Sequence, residues 1–125
     1  MSILGASPIF LLFPCDPPRT LDGFHDTIKE ISGFDLDAGL VARLYNPIAA
    51  FPSIHMAFAV VTAVGFRELA RGRAGRAAAA AYPPGVAFTI FATANHYVLD
   101  AVAGSALGAA ALRASGAFET PEDVA

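Results

Sequence analysis

The chain has 125 residues, which is enough for one domain. It is 55% hydrophobic and 15% charged, whereas soluble domains carry about 25% charged residues, so its composition is typical of a membrane protein. A net charge of −3 at pH 7 gives no reason to expect a nucleic-acid partner, and a single cysteine, Cys15, excludes an internal disulfide bond.

Four apolar segments predict helices that enter or cross a bilayer. The first, over residues 3–13, is shorter than the roughly 20 residues that a span needs, so we expect a short N-terminal helix there. Three further segments are almost free of charge, and each is expected to be a full transmembrane helix: 53–66, 74–92 and 95–113. The fold class is therefore predicted to be all-α, as an integral-membrane helical bundle, with residues 1–125 forming a single membrane domain.

The polar residues inside these segments indicate where the last two helices bend and begin. Pro83 and Pro84 are compatible with a kink in a membrane helix. Thr93 or Asn95 would cap the last helix, which is then expected to begin near His96.

The acidic segment over residues 14–50 separates the first helix from the second. Apolar residues at helical spacing predict an amphipathic helix over 21–31 that Ser32 and Gly33 would end, and a second short helix over about 36–44. Two interpretations remain open: these helices lie on the membrane or over a site, or they are solvated helices of an outer loop.

Arginines indicate the orientation in the membrane. Short arginine-rich segments stay in the cytoplasm, and arginines lie both between the second and third helices and after the last one: Arg67, Arg71, Arg73, Arg76 and Arg113. We therefore expect 67–76 and the tail 113–125 to be cytoplasmic and 14–50 to lie outside a plasma membrane of the bacterial inner-membrane type. Both termini would then be cytoplasmic.

The last helix carries Gly104 and Gly108, four residues apart. This small-xxx-small spacing is suited to close helix packing in lipid. The alternative is that the two glycines only reflect an alanine-rich composition.

Three ionisable residues occur at predicted helix starts, where they are costly in a membrane. The spacing of His96 and Asp100 places them one turn apart on a helix face, where the carboxylate can fix the imidazole tautomer and leave the other nitrogen as a nucleophile or base. By the topology above, His55 lies at the same outer face, so we expect the three to form a site. The alternative is that both histidines are interface residues and that Asp100 only caps a helix or pairs with one of them.

The start of the second predicted helix adds an anion-binding feature. Pro52 and Ser53 favour a helix start, and the free N–H groups of a helix N-terminus bind phosphate. Two helix N-termini and two histidines around one point describe an anion site with acid and base groups. Phosphoryl transfer is the chemistry that such a site favours.

Two short motifs resemble a known family. PSIH at 52–55 resembles the Pro-Ser-Gly-His motif of the type 2 phosphatidic acid phosphatases, and HYVLD at 96–100 resembles the His-x-x-x-Asp that ends their third motif. The resemblance extends over about residues 12–112.

The surrounding sequence resembles one branch of this superfamily more closely. NPIAAFPSIHMAFA at 46–59 and ATANHYVLDAVAG at 92–104 are similar to the bacterial relatives of fungal inositol phosphorylceramide synthase. PPR at 17–19, followed by Gly23 and Asp26, is also similar to that branch.

The resemblance implies a membrane lipid-phosphate phosphatase or an inositolphosphotransferase-like enzyme. His96 would attack phosphorus and form a phosphohistidine, Asp100 would orient and stabilise it, and His55 would protonate the leaving group and then activate the acceptor. Ser53 would contact the phosphate. The substrate would be a lipid phosphate or a phospholipid in membrane lipid, no metal or cofactor is implied, and the acceptor, water or an alcohol, stays open.

The sequence departs from the phosphatases in its phosphate-binding arginines. The position six residues before the nucleophilic histidine, where the phosphatases carry arginine, is Ile90, and the Lys-x6-Arg-Pro motif is absent. Since a phosphate needs cationic partners, Arg19 is the candidate and Arg43 the reserve. The alternative for Arg19 is a surface arginine after a Pro-Pro turn.

The chain is also shorter than the family domain, which has about six membrane helices. It offers three full helices and a short one, so it would be an incomplete domain, a homo-oligomer, or a chain whose missing helices a partner supplies. The short length leaves open a truncated, non-catalytic relative with a structural or binding role. A second alternative to the enzyme is a metal site in which the two histidines and the carboxylate form a facial triad.

Overall fold

The computed structural model describes residues 2–33, 35 and 50–116, and all regular secondary structure in these residues is helical. The elements are α1 (Ser2–Leu12), a 3₁₀ turn (Pro18–Thr20), α2 (Thr27–Ser32), α3 (Ile54–Leu69), α4 (Arg73–Ala92) and α5 (Val98–Ala114). The prediction of an all-α fold is therefore confirmed for these residues. None of these helices combines the length with the apolar character that crossing a membrane requires.

The helix predicted over 21–31 is shorter than expected. Gly23 takes a left-handed conformation with φ 94°, which interrupts a helix, and Asp26 caps α2 by accepting a hydrogen bond from the Lys29 N–H at 3.0 Å. The predicted end is confirmed, because Gly33 closes α2 with φ 69°. The second predicted helix, over 36–44, lies outside the described residues.

Helices α3, α4 and α5 form the body of the molecule, with α3 packed against both α4 and α5. Contacts between α3 and α5 advance in the same direction, since Gly104 lies against Ser53 and Gly108 against Ala57. These two helices are therefore parallel, and α4, which packs against α3, returns the chain to the end of the bundle where α3 begins. The starts of α3 and α5 consequently lie at one end of the bundle.

The approach of α5 to α3 depends on two glycines. A Cβ at Gly108 would lie 2.5 Å from the carbonyl oxygen of Ala57, and a Cβ at Gly104 would lie closer still to the carbonyl oxygen of Ser53. Real side chains do not tolerate such distances, so only glycine permits this packing. The prediction of close helix packing at Gly104 and Gly108 is confirmed.

The start of α5 differs from the prediction. The helix begins at Val98, and neither Thr93 nor Asn95 caps it; instead the carboxylate of Asp100 accepts a hydrogen bond from the Tyr97 N–H at 2.8 Å. The side-chain oxygen of Asn95, which a cap would use, instead accepts a hydrogen bond from Arg19, and the Asn95 N–H donates to the Ile90 carbonyl at 3.0 Å at the end of α4. His96 therefore lies in the connection between α4 and α5.

The glycine contact leads to a stability prediction with a matched control. Gly104→Ala should lower the free energy of unfolding by about 2 kcal/mol or more, because its methyl group collides with the Ser53 backbone and forces α3 and α5 apart. Gly65→Ala in α3, whose Cβ would meet nothing within 4 Å, should instead be neutral or stabilise by up to about 1 kcal/mol. Denaturant unfolding of both variants measures the difference, and equal effects would contradict the packing argument.

Candidate active site

Two histidines from distant parts of the sequence meet at the end of the bundle where α3 and α5 begin. His55 lies in the first turn of α3, and its Nδ1 lies 3.3 Å from Nε2 of His96. The rings are edge to face, with centroids 5.5 Å apart. His55 is exposed and His96 is buried. The structure thus brings together the two histidines that the sequence analysis selected.

Asp100 continues this line on the far side of His96. Its Oδ2 lies 3.4 Å from Nδ1 of His96, and both side chains are buried. The two atoms are at an ion-pair distance without the alignment of a hydrogen bond, and the same Oδ2 accepts the Tyr97 N–H. Because His96 precedes α5, its contact with Asp100 joins the connection before the helix to the first turn of the helix. The expectation from the i, i+4 spacing, that both residues lie on one helix face, is corrected accordingly.

The surroundings of His96 favour its neutral form. His96 lies outside the helices, and burial lowers the pKa of its imidazole below the ordinary value of 6.5. The neighbouring His55 lowers this pKa further, while the carboxylate of Asp100 acts in the opposite direction. A neutral imidazole keeps a lone pair on one ring nitrogen, which nucleophilic chemistry requires.

Ser53 is fully buried at the start of α3. Its hydroxyl accepts a hydrogen bond from the Met56 N–H at 3.4 Å, and its own N–H donates to the Asp100 carbonyl at 3.0 Å. The prediction that Ser53 starts the helix is confirmed, and the residue also joins α3 to α5. That Ser53 contacts phosphate stays a prediction.

Arg19 is buried next to the turn that carries His96. Its Nη1 donates to Oδ1 of Asn95 at 2.8 Å, its backbone N–H donates to the Ala94 carbonyl at 2.9 Å, and its Nε lies 3.9 Å from Oδ2 of Asp26. The side chain is only 1% exposed, so the alternative of a surface arginine is wrong. Its phosphate contact stays a prediction, and Arg43 lies outside the described residues.

The role of Asn95 was not predicted from the sequence. Instead of capping a helix, its side chain links Arg19 to Oγ1 of Thr93, to which Asn95 donates at 2.7 Å. A signal was present, because Asn95 is a polar side chain directly before the candidate nucleophile in an otherwise apolar stretch.

An apolar cavity of about 670 Å³ opens beside Asp100, between the end of α1 and the start of α5. Cys15 lines it, and burial, Asp100 and Asp16 each raise the pKa of its thiol. A raised pKa disfavours the thiolate, so Cys15 is an apolar wall residue rather than a second nucleophile. Within the described part of the chain, no three His, Cys, Asp or Glu side chains are arranged to hold a metal ion, so the facial-triad alternative has no support there.

Comparison with known proteins adds one finding. Residues 1–114 match the family model of the PAP2 superfamily, the group of type 2 phosphatidic acid phosphatases whose motifs the sequence resembles. No curated protein and no solved structure matches the chain.

The buried position of Arg19 leads to a stability prediction. Arg19→Met removes the cation from between Asp26 and Asn95 and should lower the free energy of unfolding by about 3 kcal/mol, as expected when one member of a buried pair is lost. The matched change at exposed Arg113 should stay within about 0.5 kcal/mol. Chemical denaturation of both variants tests this, and similar midpoints would show that the Arg19 contacts add nothing to stability.

The electrostatics of the line formed by Asp100, His96 and His55 predict a titration. His96 should gain its proton below pH 6.5, because burial and His55 disfavour the imidazolium. His55→Asn should raise the pKa of His96, and Asp100→Asn should lower it, since the first removes a neighbouring positive charge and the second a negative one. NMR of ¹⁵N-labelled imidazoles reports these midpoints without needing activity, and shifts of the same sign would contradict the assignment.

Proposed function

We propose, since this chain belongs to the PAP2 superfamily, that it transfers a phosphoryl group from a lipid phosphate ester through a phosphohistidine on His96. Members of this superfamily are generally phosphatases or phosphotransferases, which supports the general class of reaction. The observation that carries the proposal for this chain is the line of Asp100, His96 and His55, with contacts of 3.4 Å and 3.3 Å.

In the first step, Nε2 of His96 forms a bond to phosphorus while the bond from phosphorus to the ester oxygen breaks. The carboxylate of Asp100 beside Nδ1 keeps the ring proton there, so the lone pair is on Nε2. His55 acts as the acid in its imidazolium form. The proton on its Nδ1, which lies between the two rings, passes to the leaving alkoxide, which departs as an alcohol and leaves His55 neutral.

In the second step, His55 takes a proton from water or from an acceptor alcohol. The acceptor oxygen forms a bond to phosphorus, the bond between phosphorus and Nε2 breaks, and His96 returns to its neutral form. Water gives a phosphatase, and an alcohol such as inositol or a lipid hydroxyl gives the inositolphosphotransferase-like transfer that the sequence resembles.

The negative charge of the phosphate needs donors and positive charge. Arg19 would supply the positive charge from its position beside Asn95, the residue before the nucleophile, and Arg43 is the second candidate. Ser53 and the first N–H groups of α3 lie next to His55 and would add hydrogen bonds. Imidazoles and arginine thus supply the nucleophile, acid, base and charge without a metal.

We place the reaction at the outer face of a membrane, with the α3–α4 connection and the C-terminal tail in the cytoplasm. The composition supports this, as do the exposed apolar side chains at the end of α1, which include Leu11, Leu12 and Phe13. Helices of a second copy or of another chain would complete the bundle around the described residues.

A non-catalytic relative with a structural or binding role is the second candidate function. The 3.3 Å contact between the two imidazoles supports it, because phosphorus cannot enter between them while it persists. A binding protein would retain this closed pair, whereas an enzyme must open it.

Trapping the phosphoenzyme tests the proposal. Membrane-embedded protein incubated with a phosphate-labelled lipid phosphate should acquire acid-labile label on His96, and orthovanadate should abolish this labelling. His96→Asn should lose the label completely, because it removes the nitrogen that attacks phosphorus in the proposed mechanism. Asp100→Asn should slow labelling by about 100-fold or more, since the tautomer is no longer fixed.

The matched control is His25→Asn, because the side chain of His25 is 81% exposed and contacts Glu30 rather than the site. It should keep full labelling. A folded protein that acquires no label, or acquires as much in His96→Asn, would favour the non-catalytic candidate.

A further inference from the structure

The end of the bundle opposite the histidines is rich in arginine. Helix α3 ends there at Leu69, α4 begins there at Arg73, and α5, which is parallel to α3, ends on the same side. Glu68 is the one carboxylate among the described residues of this end. The described arginines of this end are all exposed: Arg67, Arg71, Arg73, Arg76 and Arg113. The excess of positive charge favours an anionic partner.

Two of these arginines line a pocket between α3 and α4. The pocket has a volume of about 390 Å³, and its walls are Val64, Arg67, Glu68 and Arg76. Arg67 lies in the last turn of α3 and Arg76 in the first turn of α4, so two consecutive helices each supply one guanidinium. We call this cavity the arginine pocket.

A tight connection holds the two helix ends together. Gly72 has φ 93°, a left-handed conformation that glycine adopts without strain and that lets the chain reverse between the helices. A Cβ at Gly75 would lie 3.0 Å from the Cβ of Ala70, so the start of α4 packs directly on the residue that ends α3. The relative position of the two arginine-bearing turns is therefore set by the backbone.

The two guanidiniums of the arginine pocket are not neutralised by the chain. No carboxylate among the described residues lies within ion-pair distance of Arg67 or Arg76, and Glu68 pairs with neither. A guanidinium is always charged, carries five N–H donors and no acceptor, and binds phosphate through two parallel hydrogen bonds. Two such groups against one carboxylate leave a net positive charge, so a phosphate group fits this pocket.

Exposed apolar side chains beside the arginine pocket indicate which kind of phosphate it binds. Phe66, Leu69 and Tyr82 are all exposed, Leu69 to 79%, and the rings of Phe66 and Tyr82 meet edge to face. A soluble anion would leave these side chains in water. A phospholipid presents a phosphate to the arginines and acyl chains to the apolar side chains next to them, so it accounts for both features.

The arginine pocket is separate from the candidate active site. His55 and Arg67 are twelve residues apart on α3, which corresponds to about 18 Å along the helix axis. A phosphate in contact with the histidines therefore cannot reach the pocket. A lipid bound in the pocket is a second ligand that does not react.

We propose that the arginine pocket binds the headgroup phosphate of an anionic phospholipid and so fixes the α3–α4 connection at the membrane surface. This inference rests on the membrane location proposed above. It does not rest on the phosphohistidine, because no residue of the pocket takes part in the reaction. The lipid would be bound without being cleaved, since the nucleophile lies at the opposite end of the bundle.

The four arginines of the connection offer a test with a matched control. Arg67→Gln/Arg76→Gln removes both guanidiniums from the pocket, whereas Arg71→Gln/Arg73→Gln removes the same charge from the same connection without changing the pocket walls. All four side chains are exposed, so both variants should unfold at the denaturant concentration of the unmodified protein. Diffuse attraction to a basic surface depends on the number of charges and should weaken equally in both.

Native mass spectrometry of the full chain in detergent measures the binding. The probes are phosphatidylglycerol, phosphatidylcholine with the same acyl chains, and inorganic phosphate. The unmodified protein should bind phosphatidylglycerol saturably and in preference to the other two. Arg67→Gln/Arg76→Gln should weaken this binding by at least about 10-fold, because two charge-assisted contacts are lost, while Arg71→Gln/Arg73→Gln should stay within about two-fold.

Three results would overturn the inference. Equal losses in the two double variants would show diffuse attraction instead of a pocket. Equal binding of phosphatidylcholine would show that the anionic charge is not recognised. Displacement of phosphatidylglycerol by inorganic phosphate at equal concentration would show that the ligand is a free anion.

Phosphoenzyme labelling separates this inference from the proposed function. His96→Asn should bind phosphatidylglycerol as the unmodified protein does, and Arg67→Gln/Arg76→Gln should still acquire label on His96. Lipid binding without label in the unmodified protein would overturn the proposed function alone. Label on His96 without selective lipid binding would overturn the arginine pocket alone.

Discussion

The candidate site depends on the close contact between α3 and α5 at Gly104 and Gly108. Without a Cβ at these positions, the carbonyl groups of Ser53 and Ala57 come within contact distance of the α5 backbone, and the two parallel helices are held at one relative height. The hydrogen bond from the Ser53 N–H to the Asp100 carbonyl fixes that height at the level of the site. Because both helices begin at this level, a residue in the first turn of α3 and a residue just before α5 meet, and these are the two histidines.

A second constraint holds the connection that carries the nucleophile. The His96 N–H donates to the Ile90 carbonyl at 3.3 Å, so the end of α4 holds the connection from one side. Arg19 holds it from the other side through the backbone of Ala94 and the side chain of Asn95. A buried guanidinium is costly without partners, and Asp26 offsets part of that cost. The segment after α1 therefore orders the site although it contributes no group to the line of Asp100, His96 and His55.

The sequence predicts the helices better than it predicts the contacts between their ends. Long runs without charge, bounded by arginines, give the positions of α3, α4 and α5 to within a few residues, because burying an uncompensated charge is costly wherever it occurs. The start of α5, the shortened α2 and the burial of Arg19 were not predicted. The burial of Arg19 depends on Asn95, which is remote in sequence, the shortened α2 on the left-handed residue Gly23, and the start of α5 on the Asp100 carboxylate. Periodicity contains no information about any of these. His55, His96 and Asp100 could be selected from their residue types, whereas their order in space required the fold.

Asp100 links the architecture to the chemistry, because one oxygen, Oδ2, serves both the start of α5 and the orientation of His96. It accepts the Tyr97 N–H at 2.8 Å and lies 3.4 Å from Nδ1 of His96. Both neighbours of this oxygen are ring or backbone nitrogens, and an ionised carboxylate presents only acceptors to them. An amide could keep an oxygen at this position, but it would lack the negative charge that holds the ring proton on Nδ1 and stabilises a positively charged imidazole. Because the Tyr97 N–H and the His96 ring both face this one atom, the helix start and the nucleophile cannot be altered independently.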